Sequence, residues 1–357
     1  MSCVCSAPVI CRTQAQWCDK KVLYSLLQVA RYEIKVTPLY NAIRFKRPEV
    51  IKLLIEKFEA DLELEIFGGK TALFTAVCYL PAAVKLLLEH GACVNHRDRR
   101  GRTPLMAAVE AVYYGDCLAA FERVELLLSY GADVNAVTYF NTCDDYIYNY
   151  LHGASPLHTA LHVYRRVRDD DDMTATRRAQ VNKCLFDVVK LLVPHCSSLD
   201  VRVAYNESCT TVPGATICFT AEYKQQPDLR VTKHLLQNGA TTAFREFYAT
   251  VKYQDDSNAD LITASFVRLC FLSGCTFSEY FIELKEEKEQ GPAGQDHRAK
   301  HVHALVKDLF SQPLTLQELS IMTTRKRLGS HNLWAKIDAL PVGLPRHVKD
   351  MIQLKTY

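Results

Sequence analysis

An all-α solenoid of stacked helix pairs is the fold that the sequence predicts, on three observations. A short signature recurs as Thr37-Pro38-Leu39, Thr71-Ala72-Leu73, Thr103-Pro104-Leu105, Ser155-Pro156-Leu157 and Thr216-Ile217-Cys218. An alanine follows each at one offset: Ala42, Ala76, Ala108, Ala160 and Ala221. A Leu-rich run closing in Gly lies downstream, clearest in Leu86–Asn95 and Leu126–Asn135, again in His234–Ala240 and more loosely from Leu191 to Asp200. Thr or Ser caps the unpaired N–H groups of a first helix, and Pro pre-sets its φ. The alanine keeps that helix slim, so neighbours can approach. Gly91, Gly131 and Gly239 supply the left-handed residue after a second helix. One such helix pair cannot bury its apolar face alone, so the pairs must stack.

The chain then divides in order. Residues 1–36 form a partly helical N-terminal segment holding Cys3, Cys5, Cys11 and Cys18. These have irregular spacing and no CxxC knuckle, so a frayed tail is expected rather than zinc, and no metal or cofactor is expected anywhere. Residues 37–242 carry the five signatures at spacings of 34, 32, 52 and 61 residues. The first two lie close to the ~33 of an ankyrin repeat, which these units resemble. An insertion near 136–154 brings Tyr139, Phe140, Tyr146, Tyr148 and Tyr150. The last three alternate, either as an aromatic partner-binding finger or as rings covering an enlarged loop. A second insertion near 164–184 holds Arg165-Arg166-Val167-Arg168 followed by Asp169 to Asp172. That block reads as a solvated loop or helix extension, with docking of a charged peptide as the alternative. Arg97, Arg99, Arg100 and Arg102 make one repeat tip basic, either as a grip for an acidic or phosphorylated partner or as an exposed turn. Residues 243–290 read as a degenerate capping repeat around Leu269, Leu272, Gly274 and Cys275, and 291–357 as a linker helix and a C-terminal module.

Composition removes several classes. Over 357 residues, 48% are hydrophobic and 23% charged, which is ordinary globular composition. Forty-three Lys and Arg against forty Asp and Glu leave a net charge of +3, and no nucleic-acid reader motif is present. No apolar run approaches the ~18 residues of a membrane span. Arg12 interrupts the Cys-rich start, so no secretory signal is read there. Cys78, Cys184, Cys218 and Cys270 sit singly in apolar helical patterns, as small hydrophobes in a reducing compartment, cytoplasmic or also nuclear. His158 and His162 are one turn apart, as are His297 and His301, yet neither pair carries a Glu of the metalloprotease kind. His158 is expected to serve a turn hydrogen bond. No Gly-rich phosphate loop appears, so the chain reads as non-catalytic.

The C-terminal module runs from Pro313-Leu314-Thr315-Leu316 through Glu318, Arg325 and Leu328-Gly329 to Trp334, Ile337 and Leu340-Pro341-Val342-Gly343. Thr315 caps a helix, Glu318 completes a capping box, and Gly329 ends it. Leu316, Leu319, Ser320, Thr324 and Leu328 are expected on one face. With the repeats before it, this segment resembles the ankyrin-repeat and SOCS-box family, the box matching at Pro313, Thr315, Leu316, Arg325, Leu328 and Gly329. The resemblance implies an ankyrin-repeat solenoid with a SOCS-box-like module. It implies further that Leu316, Leu319, Ser320 and Thr324 dock elongin C, which brings elongin B. Ile337, Leu340, Pro341 and Val342 would then meet a cullin, usually the fifth paralogue, with its RING protein. The repeats would present a protein substrate for ubiquitination, with Arg97, Arg99, Arg100, Arg102, Tyr146, Tyr148 and Tyr150 as candidate contacts.

Two positions depart from the family pattern: Ser320 replaces its Cys and Thr324 its Ile. A buried hydroxyl left uncompensated costs about 1–3 kcal/mol. A Ser bonding back to a carbonyl one turn earlier loses much less. Gly343 also replaces the last Pro of the cullin segment. The alternative is a non-catalytic scaffold in which only the repeats bind.

Overall fold

The computed structural model describes residues 37–66, 68–114, 117–139, 153–170, 172–197, 199, 229–240, 264–275, 277, 297–311, 313–329, 333–340 and 344–355. Among them are fourteen α-helices, one short 3₁₀ turn and no β-strand. The signature Thr216-Ile217-Cys218, Tyr146, Tyr148, Tyr150 and the four N-terminal cysteines lie outside the described residues. The described chain is all-α, as the sequence predicts. It forms two compact units, one reaching Ala108 together with Leu126–Ala132, the other holding Val109–Glu125 and everything from Asp133 on.

In the first unit, α1 (Pro38–Arg44) packs on α2 (Pro48–Glu56), and α3 (Ala72–Tyr79) on α4 (Pro81–Glu89). The two first helices α1 and α3 also pack together, as do α2 and α4, giving two helical layers. Leu39, Ile43, Ile51, Leu73, Phe74, Val77, Val84 and Leu87 fill the space between the layers. The signature explains itself here. Thr37 Oγ1 accepts from the N–H of Tyr40 at 3.0 Å, and Pro38 opens the helix. Ala42, Ala76 and Ala108 are all buried, at positions where a longer side chain would push neighbouring helices apart. Thr71 differs, because its hydroxyl is buried and makes no capping bond. Cys78 differs too: it is exposed, although its apolar neighbours suggested a buried filler. It lies with Tyr79 at the exposed C-terminal end of α3.

Helices α5 (Pro104–Tyr114) and α6 (Cys117–Ser129) follow in the chain. After α4 and α6 the chain turns at Gly91 and Gly131, with φ of 85° and 82°. The asparagine that ends each Gly-Ala-x-Val-Asn run ties successive repeats. Asn95 Nδ2 donates to the Gly131 carbonyl at 3.0 Å. In the second unit, Asn135 donates to the His195 carbonyl at 3.3 Å and accepts from the N–H of Ser197 at 2.7 Å.

The second unit accommodates the charged insertion by lengthening helices. Helix α7 spans Pro156–Asp169 and α8 spans Ala175–Leu192, and the two pack against each other. Within the charged block, Arg165 to Asp169 extend α7 as helix. Thr174 caps α8, Arg178 donates to the Asp170 carbonyl at 2.6 Å, and Asp170 accepts from the hydroxyl of Tyr113. Arg166 stacks over the Tyr113 ring at 4.5 Å and donates to the Tyr114 hydroxyl at 3.1 Å. At the base of the first insertion, Thr138 brackets Gly153 and Ala154 through three hydrogen bonds. His158 is buried and its Nδ1 accepts from the N–H of Ser155 at 3.3 Å, the turn role expected of it.

Beyond α8, a 3₁₀ turn (Val193–His195) precedes α9 (Leu229–Gln237) and α10 (Ala264–Ser273), which pack in sequence. Half-buried His234 meets the Phe186 ring edge-on at 5.9 Å, and its Nε2, itself buried, has no hydrogen-bond partner. Burial, with the nearby Lys190 charge, pushes its pKa down to about 4. An unfolded His titrates near ~6.5, so between those values the unfolded chain binds a proton that the folded chain refuses. Stability is therefore expected to fall as pH drops from about 6.5 through 4. Urea midpoints measured across that range should show the loss, and His234→Phe should flatten it.

Candidate functional site

Four helices build the C-terminal region: α11 (His297–Ser311), α12 (Leu316–Leu328), α13 (Leu333–Asp338) and α14 (Arg346–Ile352). Helix α12 is their hub, touching α10, α13 and α14. Its start is the capping box that Thr315 and Glu318 predict. The N–H of Glu318 donates to Thr315 Oγ1 at 3.2 Å, and the N–H of Thr315 donates to Glu318 Oε2 at 2.9 Å. Gly329 ends it at φ 73°.

One side of α12 is fixed by two charged groups. Glu318 is buried and accepts from both Nε and Nη2 of Arg268 on α10, the first at 2.6 Å. Burial alone would raise its pKa, but the Thr315 N–H, the Arg268 guanidinium and the Thr315 hydroxyl outweigh that and hold the carboxylate below its usual range. Arg325, also buried, donates to the carbonyls of Leu236 at 2.7 Å, Gln237 at 3.3 Å and Ile352 at 2.8 Å. The first two belong to the C-terminal end of α9, where carbonyls lack i+4 helical partners, and Leu236 also accepts the turn bond from the Gly239 N–H. Burial lowers the Arg325 pKa to about 10, which leaves it charged at neutral pH. Gln237 answers with a 2.9 Å bond to the Leu354 carbonyl. Neither Arg268 nor Arg325 stood out as a site residue in the sequence, because nothing local marks which carbonyls or carboxylates they will meet.

The other side of α12 is open. Leu316 is 81% exposed and Leu319 45% exposed. Ser320, exposed beside them, donates its hydroxyl to the Leu316 carbonyl at 2.8 Å, and Thr323 donates to that of Leu319 at 2.7 Å. Thr324 is half-buried at the margin. Leu328 departs from the expected face. It turns inward to a small core of Leu333, Ile337 and Ile352, joined by Leu340, Leu344 and Val348. Ile337 is fully buried there, a correction to its expected role at a surface. The reason is that α13 and α14 close on each other and on α12 around it. Leu340 is half-buried against that core, and Pro341, Val342 and Gly343 lie outside the described residues.

The basic tip is less open than its sequence suggests. Asp98 is buried and accepts from the N–H groups of Arg100 and Arg102, both at 2.9 Å. Arg102 then clamps it with Nε at 3.0 Å and Nη2 at 2.9 Å, while lying over the Phe74 ring. Arg102 is thus committed to the turn. Arg99 is exposed, and Arg97 and Arg100 are half-buried. Asp98, flanked by arginines in sequence, was not singled out, although a lone acid among them is the natural turn-former.

A family model described as ankyrin repeats (3 copies) matches residues 15–98 and 39–138. These are ankyrin repeats. The mouse (Mus musculus) B-cell lymphoma 3 protein homolog is 34% identical over 129 residues, 35% of this chain and 25% of that protein. A putative ankyrin repeat protein of Rickettsia felis is 40% identical over 118 residues, 32% of this chain and 51% of that protein. The chain thus spans about a quarter and about half the length of these relatives. The family-model match stops at residue 138, so it speaks for the ankyrin repeats and leaves α12 to α14 to their own geometry. Among the described residues no helix is long and apolar enough to cross a membrane, and no group of His, Cys, Asp or Glu is arranged to hold a metal ion.

Proposed function

We propose that this chain is the substrate-recognition adaptor of an elongin–cullin–RING ubiquitin ligase. Ankyrin repeats point to a protein-interaction role, and in this reading they hold a protein substrate. Helix α12 docks elongin C, which carries elongin B. The segment Leu340-Pro341-Val342 meets a cullin, of the fifth paralogue, with its RING protein, and Ile337 serves as the core behind it. The observation that supports this most is the pairing of Leu316 and Leu319 outward on a helix whose opposite side is anchored by Glu318 and Arg325. A leucine that exposed costs hydration free energy, about 1.5–3 kcal/mol if fully buried instead, so the ridge suits a partner's apolar groove. The Ser320 hydroxyl already has its acceptor, which lightens the penalty of burying it. The chain performs no chemistry in this scheme and raises the effective concentration of substrate lysines near charged ubiquitin. It would work in the cytoplasm or nucleus. Co-expression with elongins B and C, followed by size exclusion, tests the reading. A wild-type complex that Leu316→Asp abolishes is the expected result, and failure of the wild type to form one leaves the repeats as a scaffold.

A further inference from the structure

The turn after α1 places three cations and an aromatic ring in solvent. Arg44, Phe45, Lys46 and Arg47 are all exposed, with Phe45 at 52%. None of the three cations makes an ion pair among the described residues, and Glu49 is the one acidic side chain in the following turn. Tyr79 stands eight residues after Thr71, as Phe45 does after Thr37, and is 50% exposed. Helices α1 and α3 pack side by side, and each ring stands at the C-terminal end of its own helix, Phe45 as the cap of α1 and Tyr79 as the last residue of α3. Neither ring contacts another aromatic or a cation among the described residues.

The backbone adds an independent sign. Helix α1 closes with the N–H of Lys46 on the Ile43 carbonyl at 3.0 Å and that of Arg47 on the Ala42 carbonyl at 2.9 Å. Gly91, Gly131 and Gly239 close α4, α6 and α9 in the same way, and the left-handed position there favours Gly. At the end of α1 that position holds Lys46, at φ 55°. A side chain kept where glycine is easier points to a use for that side chain.

We propose that the Arg44–Arg47 turn, with Phe45 and Tyr79, is a docking surface for an acidic segment of a partner protein that carries a bulky apolar side chain. Acidic groups on the partner would meet Arg44, Lys46 and Arg47, and its apolar side chain would lie across the two rings. The surface rests on the binding role of the repeats alone and does not depend on elongin docking.

A random peptide display library, selected on the immobilised full-length chain without elongins, tests it. Wild type is expected to enrich peptides combining Asp or Glu with Leu, Phe or Trp, and their binding should weaken with added salt. Arg44→Glu combined with Arg47→Glu should weaken the best peptide by at least about tenfold. Lys46→Gly separates docking from folding, since it should hold or raise the melting temperature while weakening the peptide several-fold. Selection of no peptide family, of peptides without acidic residues, or of peptides that bind the charge-reversed variant unchanged would overturn the proposal.

Discussion

Arg325→Met is expected to destabilise the C-terminal helices by about 2–4 kcal/mol. The guanidinium serves three carbonyls, those of Leu236, Gln237 and Ile352, and methionine serves none. Leu236 keeps the Gly239 N–H, and each of the other buried acceptors left unpaired costs about 1–3 kcal/mol. Part of that is returned, because a charge no longer has to be kept out of water. Hydrogen exchange localises the effect. Amides of α12 and α14 should exchange roughly 30- to 1000-fold faster, at about 1.4 kcal/mol per tenfold. Arg325→Lys should recover little, since an ammonium lacks the planar fork that reaches α9 and α14 together. Unchanged exchange in the methionine variant would mean that apolar contacts such as Ile321 hold α12 in place.

Asp98→Ala is expected to cost about 2–4 kcal/mol in the first unit. Its carboxylate accepts from two backbone N–H groups and from Nε and Nη2 of Arg102 in a largely buried turn. Removing it takes this acceptor from those donors and its charge from the guanidinium beside Phe74. Exposed Arg99 makes the contrast, and Arg99→Ala should stay within about 0.5 kcal/mol. Urea unfolding of the two variants measures the difference. Equal midpoints would show the turn to be held by its backbone alone.

Those two residues mark where reading the sequence stops. The helix pairs were legible because their determinants are local and periodic. The caps at Thr37 and Ser155, the slim alanines and the glycine closures each act within a few residues. The capping box of α12 and its end at Gly329 were legible for the same reason. Which face of α12 turns inward was not, since it depends on what α9, α10 and α14 offer. Arg325 finds open carbonyls nearly ninety positions earlier in the chain, and Glu318 finds Arg268 fifty earlier. Leu328 and Ile337 share apolar character with Leu316, and only the closing of α13 and α14 separates core from surface. The insertion near 164–184 was visible as surplus length, but its resolution into two long helices rests on Asp170, Tyr113 and Arg178 meeting across the fold.

Direct titration of the full-length chain with a purified elongin B–elongin C complex, by calorimetry, bears most closely on the adaptor reading. Wild type should bind, Leu316→Asp should bind at least about 100-fold more weakly, and Leu319→Asp should fall between them, because the less exposed leucine gives up less area. Arg99→Glu, a charge reversal on an exposed repeat residue outside α12, should bind like wild type. Absence of heat with the wild type, or equal affinity for Leu316→Asp, would contradict the assignment of α12 as the elongin-docking helix.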